Sequence, residues 1–161
     1  MRKKVTYRGR HEKVFICSPF KPKGATVEER QEHRRYNLWL AKTACKYAVS
    51  HNYMPMAPHL FFPQFLSDAD VGERDMGIQM GIEWLTECNA LWVIGGYISE
   101  GMQREIAYAN EHGIPVIQFE VRDDYTRRRC GSNGDPDYDG CNYRKNTGYD
   151  DEEEGFLYDG D

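Results

Sequence analysis

Short apolar segments that alternate with longer helix-like stretches constrain the fold of this chain most strongly. The apolar segments are residues 14–17, 54–57, 91–95 and 114–119. Continuously apolar runs of this length are typical of parallel strands that are covered on both faces. Strands and helices in alternation indicate an α/β fold.

Three helices are predicted between these strands. They span about residues 26–50, 71–88 and 100–112. Thr26 suits the first N-cap and Gly113 suits the last C-terminal cap. The aromatic segment 59–65 is broken by proline and is predicted as a packed loop. We therefore predict a doubly wound, mostly parallel sheet of the flavodoxin or Rossmann-like type, with helices on both faces.

Composition divides the chain into three regions. Residues 1–12 form a basic leader, and residues 13–122 hold the predicted α/β domain. Residues 123–161 hold 12 acidic and 5 basic residues and are rich in Gly, Asp and Asn, which predicts an irregular acidic tail. The whole chain carries a net charge of −5, so the residues before the tail are close to neutral. Because a nucleic-acid polymer requires a basic face, none is predicted as a partner.

The sequence predicts a cytoplasmic protein without a membrane partner. Its apolar runs are all much shorter than the roughly 20 residues of a membrane span. The basic N-terminus also lacks the apolar stretch of a secretory signal.

The five cysteines do not form any CxxC pair. Cys17, Cys45 and Cys88 are interpreted as reduced core residues. Cys130 and Cys141 flank a loop rich in glycine and aspartate, where a disulfide or a metal clip stays open. Neither metal-ligand spacing nor a P-loop or dinucleotide-binding motif is found, so no metal and no cofactor are predicted.

Polar residues follow three of the predicted strands. Ser18 follows the first strand, His59 follows the second, and the turn 95–101 follows the third. Because doubly wound sheets bind ligands beyond the carboxyl ends of their strands, these residues are expected to converge. His59 is interpreted equally as a pocket residue or as a structural histidine of a proline-rich loop.

The third predicted helix begins with a pattern that suits a nucleotide. Ser99 occupies the N-cap position, where free N–H groups and the helix dipole attract a phosphate. Gly101 would let a ligand approach the backbone, and Glu105 on the second turn would face the same cleft. The plainer interpretation is that Ser99 only caps the helix and that Glu105 is solvated.

The chain resembles the nucleoside 2-deoxyribosyltransferase and nucleoside 5′-monophosphate N-glycosidase superfamily over about residues 13–119. The resemblance rests on residues 14–19, on residues 83–93, and on Ser99-x-Gly101-x-x-x-Glu105 followed by Ile-Ala-Tyr-Ala. It implies that Glu105 attacks C1′ and displaces the base, after which water or a second base resolves the glycosyl-enzyme. It also implies that Ser99 contacts the 5′-phosphate and that Ser18 adds a phosphate or sugar contact.

Two positions depart from the family pattern. Asn89 stands where the family usually has an aspartate that protonates or holds the departing base, and an amide can hydrogen-bond but cannot donate that proton. Phe15 stands where the family commonly has a tyrosine that orients the nucleophile. Asp68 and His59 are alternative sources of the missing acid, and Arg74 is an alternative phosphate clamp.

These observations leave several functions open. The first is cleavage or exchange of the N-glycosidic bond of a nucleoside 5′-monophosphate, with a small-molecule nucleotide as the ligand. The second is a non-catalytic nucleotide-binding module, either a sensor or a sponge, and the third is an interaction protein that uses its acidic tail. The resemblance further implies a homo-oligomer, a dimer or larger, with segments 60–65 and 156–158 as candidate contacts.

Overall fold

The computed structural model describes residues 11–121 and 143–145. The strands are β1 (Lys13–Cys17), β2 (Met54–Met56), β3 (Ala90–Ile94), β4 (Val116–Val121) and β5 (Tyr143–Lys145). The helices are α1 (Val27–Ser50), α2 (Pro58–Phe61), α3 (Val71–Thr86) and α4 (Glu100–Glu111), and a 3₁₀ turn covers Phe62–Gln64. No helix within these residues is long and apolar enough to cross a membrane.

The strands form one sheet in the order β2-β1-β3-β4-β5. The first four strands are parallel, with Phe15 opposite Leu91 and Leu91 opposite Val116. The fold class predicted from the sequence, a doubly wound and mostly parallel sheet, is confirmed. β5 adds an antiparallel edge strand within the tail, so the expectation that this tail is irregular is wrong at residues 143–145.

Alternate residues of the strands supply two separate cores, because successive side chains of a strand point to opposite faces. One face of β1 and β3 packs Ile16 and Trp92 against Leu40 of α1. The other face packs Phe15 against Leu85 of α3 and Met102 of α4. Helices therefore cover both faces of the sheet, and each buried large side chain contributes about 1.5–3 kcal/mol relative to exposure.

The helix starts follow the predicted capping chemistry. Thr26 accepts a hydrogen bond from the Glu29 amide at 3.1 Å, and the Glu29 carboxylate accepts one from the Thr26 amide at 3.2 Å. This capping box satisfies two amide groups that the helix itself leaves unpaired. Asp70 caps α3 without the reciprocal bond of a capping box, because only its side chain accepts, from the Glu73 amide at 2.9 Å.

The main local difference from the predicted elements is at residues 58–64. The sequence predicts a packed loop over residues 59–65, but residues 58–64 form α2 and the 3₁₀ turn. Both α2 and the 3₁₀ turn have a proline within their first two positions. Proline is tolerated there because the first residues of a helix donate no hydrogen bond within the helix. The basic leader and the acidic tail, with Cys130 and Cys141, lie outside the described residues apart from residues 11–12 and 143–145.

Candidate active site

A cleft of about 460 Å³ opens at the carboxyl ends of β1 and β3. The chain leaves β1 toward β2 on one side, whereas β3 lies on the other side, so the sheet has its topological switch point here. Five predicted site residues line this cleft, namely Ser18, His59, Ser99, Gly101 and Glu105. The structure therefore brings them together, and their chemical roles stay predictions.

Glu105 reaches the cleft from the inner face of α4. It lies three residues after Met102 and four before Ala109, both of which are buried, so it shares their side of the helix. Burial raises the pKa of Glu105 from 4.5 to about 7, although a hydrogen bond with the Cys17 thiol acts in the opposite direction. Both the protonated acid and the carboxylate are therefore present near neutral pH.

Ser99 is the N-cap of α4. Its hydroxyl oxygen accepts from the Met102 amide at 3.4 Å, and its own amide donates to the Met102 sulfur at 3.5 Å. The cap leaves the hydroxyl hydrogen of Ser99 available to donate, and the first amides of a helix have no partner within the helix. A Cβ added at Gly101 would meet no atom within 4 Å, so the space beside this glycine is open.

Ser18 and His59, which also line the cleft, form a hydrogen-bonded pair. The Ser18 hydroxyl lies 2.8 Å from Nε2 of His59, and the Phe20 ring packs edge to face with the imidazole. Burial lowers the pKa of His59 from 6.5 to about 4, so the ring is neutral at pH 7. A neutral imidazole can donate or accept a hydrogen bond, but it is a poor source of a proton for a leaving group.

The position of Asn89 contradicts its expected role beside the departing base. Asn89 immediately precedes β3, and its side-chain oxygen accepts from the Lys13 amide at 2.8 Å. The backbone N–H of Asn89 donates to the Lys13 carbonyl, also at 2.8 Å. The prediction is wrong because a residue just before a parallel strand lies at the edge opposite the cleft. Asn89 instead joins the starts of β1 and β3.

Several cleft residues are missed or only weakly indicated by the sequence. Cys17, which does not itself line the cleft, is buried as predicted for a core residue, and its sulfur lies 4.0 Å from the Met102 carbonyl oxygen. Lys21 and Lys23 follow β1 and line the cleft, and Nζ of Lys23 lies 3.7 Å from the centre of the Tyr97 ring. The sequence signal for the lysines is their place directly after a strand end.

Arg74, the alternative phosphate clamp, also lines the cleft. Its guanidinium forms an ion pair with the Asp68 carboxylate at 3.6 Å, so the two residues named as alternatives are partners of each other. Both side chains are more than a third exposed, and the pair is therefore worth less than about 1 kcal/mol. Asp68 therefore holds Arg74 only weakly, and the role of Arg74 as a phosphate clamp stays a prediction.

The aromatic residues named as candidate subunit contacts lie beside the cleft. Phe61 and Phe65 are 47% and 59% exposed, and their rings pack edge to face. The homo-oligomer stays a prediction. Within the described residues, no group of three or more His, Cys, Asp or Glu side chains is arranged to hold a metal ion.

Comparison with known proteins gives one family match. The model of the family described as "Domain of unknown function (DUF7768)" matches residues 12–119, which contain the cleft, the strands β1 to β3 and the first four residues of β4. No curated protein matches the sequence.

One solved structure with a similar chain is that of a 2-deoxyribosyltransferase from the psychrotolerant bacterium Bacillus psychrosaccharolyticus, characterised as a biocatalyst for the synthesis of antiviral and antitumoral nucleosides. It is 18% identical over 66% of this chain and 70% of that chain, with a TM-score of 0.47. A likeness of this extent does not assign a function.

Proposed function

The chain belongs to the DUF7768 family, and we propose that in this member the cleft cleaves or exchanges the N-glycosidic bond of a nucleoside 5′-monophosphate. The observation that carries the proposal is the arrangement of α4. Its N-cap Ser99 and its inward carboxylate Glu105 line one cleft at the switch point of the sheet.

The start of α4 provides the phosphate end of this cleft. A phosphate there would accept hydrogen bonds from the Ser99 hydroxyl and from the first helical amides, supported by the helix dipole. The open space beside Gly101 allows the approach. Glu105 follows six residues after Ser99, a rise of about 9 Å along the helix. That separation leaves room for a ribose between the phosphate and the carboxylate.

In its ionised form, Glu105 can act as the nucleophile. One carboxylate oxygen forms an ester bond to C1′ while the C1′–N bond breaks and its electron pair leaves on the base. Water or a second base then attacks C1′ and loses a proton to solvent, while the ester bond returns its electron pair to the carboxylate. The departed base, which left with the electron pair, takes up a proton from solvent. Hydrolysis releases the sugar phosphate, and attack by a second base gives a new nucleotide.

Binding without turnover is the second candidate function. Two residues expected to help the leaving base are not placed or charged to do so. His59 is neutral, and Asn89 does not line the cleft. This favours binding without turnover. A cleft that holds a nucleotide but cannot protonate the base would act as a sensor or a sponge. Base release over many turnovers excludes this function.

We expect Ser99→Ala to weaken recognition of the phosphate specifically. Loss of a hydrogen bond to a charged group costs about 1.5–3 kcal/mol, which is roughly a 10- to 150-fold fall in kcat/KM. This fall should appear with the nucleoside 5′-monophosphate and not with the matching nucleoside, so the measured quantity is the ratio of the two kcat/KM values.

Thr26→Ala is the matched control for Ser99→Ala. It also removes a helix N-cap, at a cost of about 1 kcal/mol of stability, but it lies on α1 and does not line the cleft. The ratio should be unchanged in this variant. An unchanged ratio in Ser99→Ala would place the phosphate elsewhere.

We expect kcat/KM to rise with pH through about 7 and to level off above it, because attack needs the ionised form of Glu105. The profile should be measured with the nucleoside, since the second ionisation of a substrate phosphate, near pH 6, would overlap it. A rate that is constant from about pH 5 to 9, or that falls as the pH rises, would contradict a carboxylate nucleophile with this pKa.

A further inference from the structure

A lysine of the loop after β1 is held at the cleft by contacts at both of its ends. Lys23 lines the cleft, and its Nζ lies 3.7 Å from the centre of the Tyr97 ring. Its backbone amide donates to Nδ1 of His33 on α1 at 2.6 Å. The His33 ring also packs against Tyr97, with the two ring centres 5.9 Å apart. These contacts join the loop after β1 to the turn after β3.

The charge of Lys23 has no carboxylate partner within the part of the chain that the structure describes. Three exposed carboxylates line the cleft besides Glu105, and each already has a partner. These pairs are Asp68 with Arg74, Glu100 with Arg104, and Glu73 with the backbone amide of Ser67. An anionic ligand would therefore meet an uncompensated positive charge at Lys23.

We propose that Lys23 binds the 5′-phosphate and thereby makes the cleft select nucleotides over nucleosides. The proposal rests on the proposed function, since it concerns the ligand of that same cleft. Tyr97 precedes Ser99, the N-cap of α4, by two residues, and both line the cleft. The tyrosine ring therefore holds the ammonium at the end of the cleft where α4 begins.

The contact with Tyr97 leaves the ammonium able to bind an anion. An ammonium has three N–H donors, and the face of one ring covers only one side of it. Because Lys23 is exposed, its contact with the ring is weak compared with charge-assisted hydrogen bonds to a phosphate. The remaining donors can join the Ser99 hydroxyl on the phosphate oxygens, whereas a nucleoside offers them no charge.

Binding to proteins that also carry Glu105→Gln tests this role without turnover. Isothermal titration would compare a panel of ribo- and deoxyribonucleoside 5′-monophosphates with the matching nucleosides. We expect Lys23→Met to weaken nucleotide binding about tenfold or more, and to leave nucleoside binding unchanged. Lys23→Arg keeps the charge and should stay within about threefold of the parent protein. Stability in urea checks that each variant is folded.

Lys42→Met is the matched control, because Lys42 is exposed on α1 but does not line the cleft. It removes the same charge from the chain and should leave nucleotide binding unchanged. Since salt screens an exposed charge, the loss in Lys23→Met should shrink between about 50 and 500 mM NaCl. An unchanged nucleotide affinity in Lys23→Met, or an equal loss in Lys42→Met, would overturn the role of Lys23.

Phosphate binding by Lys23 and cleavage by Glu105 can fail separately. Nucleotide binding that Lys23→Met weakens, in a protein that releases no base, would support the role of Lys23 and reject the cleavage reaction. Base release that requires Glu105 but is equally selective for nucleotides without Lys23 would support the reaction and overturn the role of Lys23. A protein that binds none of the nucleotides would overturn both.

Discussion

Glu105→Gln should abolish base release, with a loss of at least about 10³-fold in kcat, because the amide cannot act as the nucleophile. The substitution preserves the shape of the side chain, and its amide can still donate and accept hydrogen bonds. Nucleotide binding should therefore persist, which isothermal titration of the variant would measure.

Glu111→Gln is the matched control for this loss. Glu111 is the last residue of the same helix and is exposed. The Glu111→Gln variant should retain the wild-type rate of base release. A Glu105→Gln protein that releases base at more than about a tenth of the wild-type rate would show that another group attacks C1′.

The Glu105→Gln variant should also be more stable than the wild type above pH 7. The pKa of Glu105 is about 7 in the folded protein and near 4.3 in an unfolded chain. Below both values, the side chain is protonated in both states and its ionisation has no effect on stability. As the pH rises from about 4 to 7, only the unfolded chain releases its proton readily, so the wild type loses stability that Glu105→Gln keeps.

We expect this difference in unfolding free energy to be on the order of 2 kcal/mol at pH 8 and much smaller at pH 4.5, since part of the Glu105 residue still reaches solvent. Urea denaturation of both proteins at the two pH values measures it. A difference in unfolding free energy between the two proteins that is equal at both pH values, or that shrinks as the pH rises, would contradict the raised pKa of Glu105.

Gly95→Ala should destabilise the fold by about 2–4 kcal/mol, through backbone strain and overpacking. Gly95 follows β3 at the edge of the cleft with φ +115°, a conformation that side chains rarely adopt. A Cβ there would lie 3.1 Å from Cδ of Pro19 and 3.2 Å from Cδ2 of Leu40. Because Pro19 follows Ser18, the clash should also disturb Ser18 in the cleft.

Gly96→Ala is the adjacent control for this glycine. A Cβ at Gly96 would meet no atom within 4 Å, and the residue is exposed, so the change should stay within about 1 kcal/mol. Urea denaturation of the two variants gives the comparison. Equal stability of Gly95→Ala and Gly96→Ala would mean that the turn after β3 accommodates a side chain at Gly95 by moving.

The order of strands and helices follows from the sequence because it depends on local periodicity. Continuous apolar runs indicate the buried strands, and Thr26 indicates the start of α1, where the structure shows a capping box. Segment 58–64 is harder to predict, since prolines that interrupt a strand pattern are equally suited to the first positions of a short helix.

The cleft is predictable in part for the same reason. Ser18, His59 and Ser99 are identified by the rule that ligand sites lie beyond the carboxyl ends of parallel strands. The same rule excludes Asn89, which precedes its strand and is suggested by the family resemblance alone. Glu105 is buried only by tertiary packing, so its raised pKa leaves no signal in the sequence.

Base release from a panel of ribo- and deoxyribonucleoside 5′-monophosphates, followed by chromatography, tests the central claim most directly. The proposed mechanism predicts that the wild-type protein frees the base of at least one nucleotide over many turnovers, and that Glu105→Gln does not. Thermal stabilisation by a nucleotide without any release of base would contradict the mechanism and would identify the cleft as a binding site.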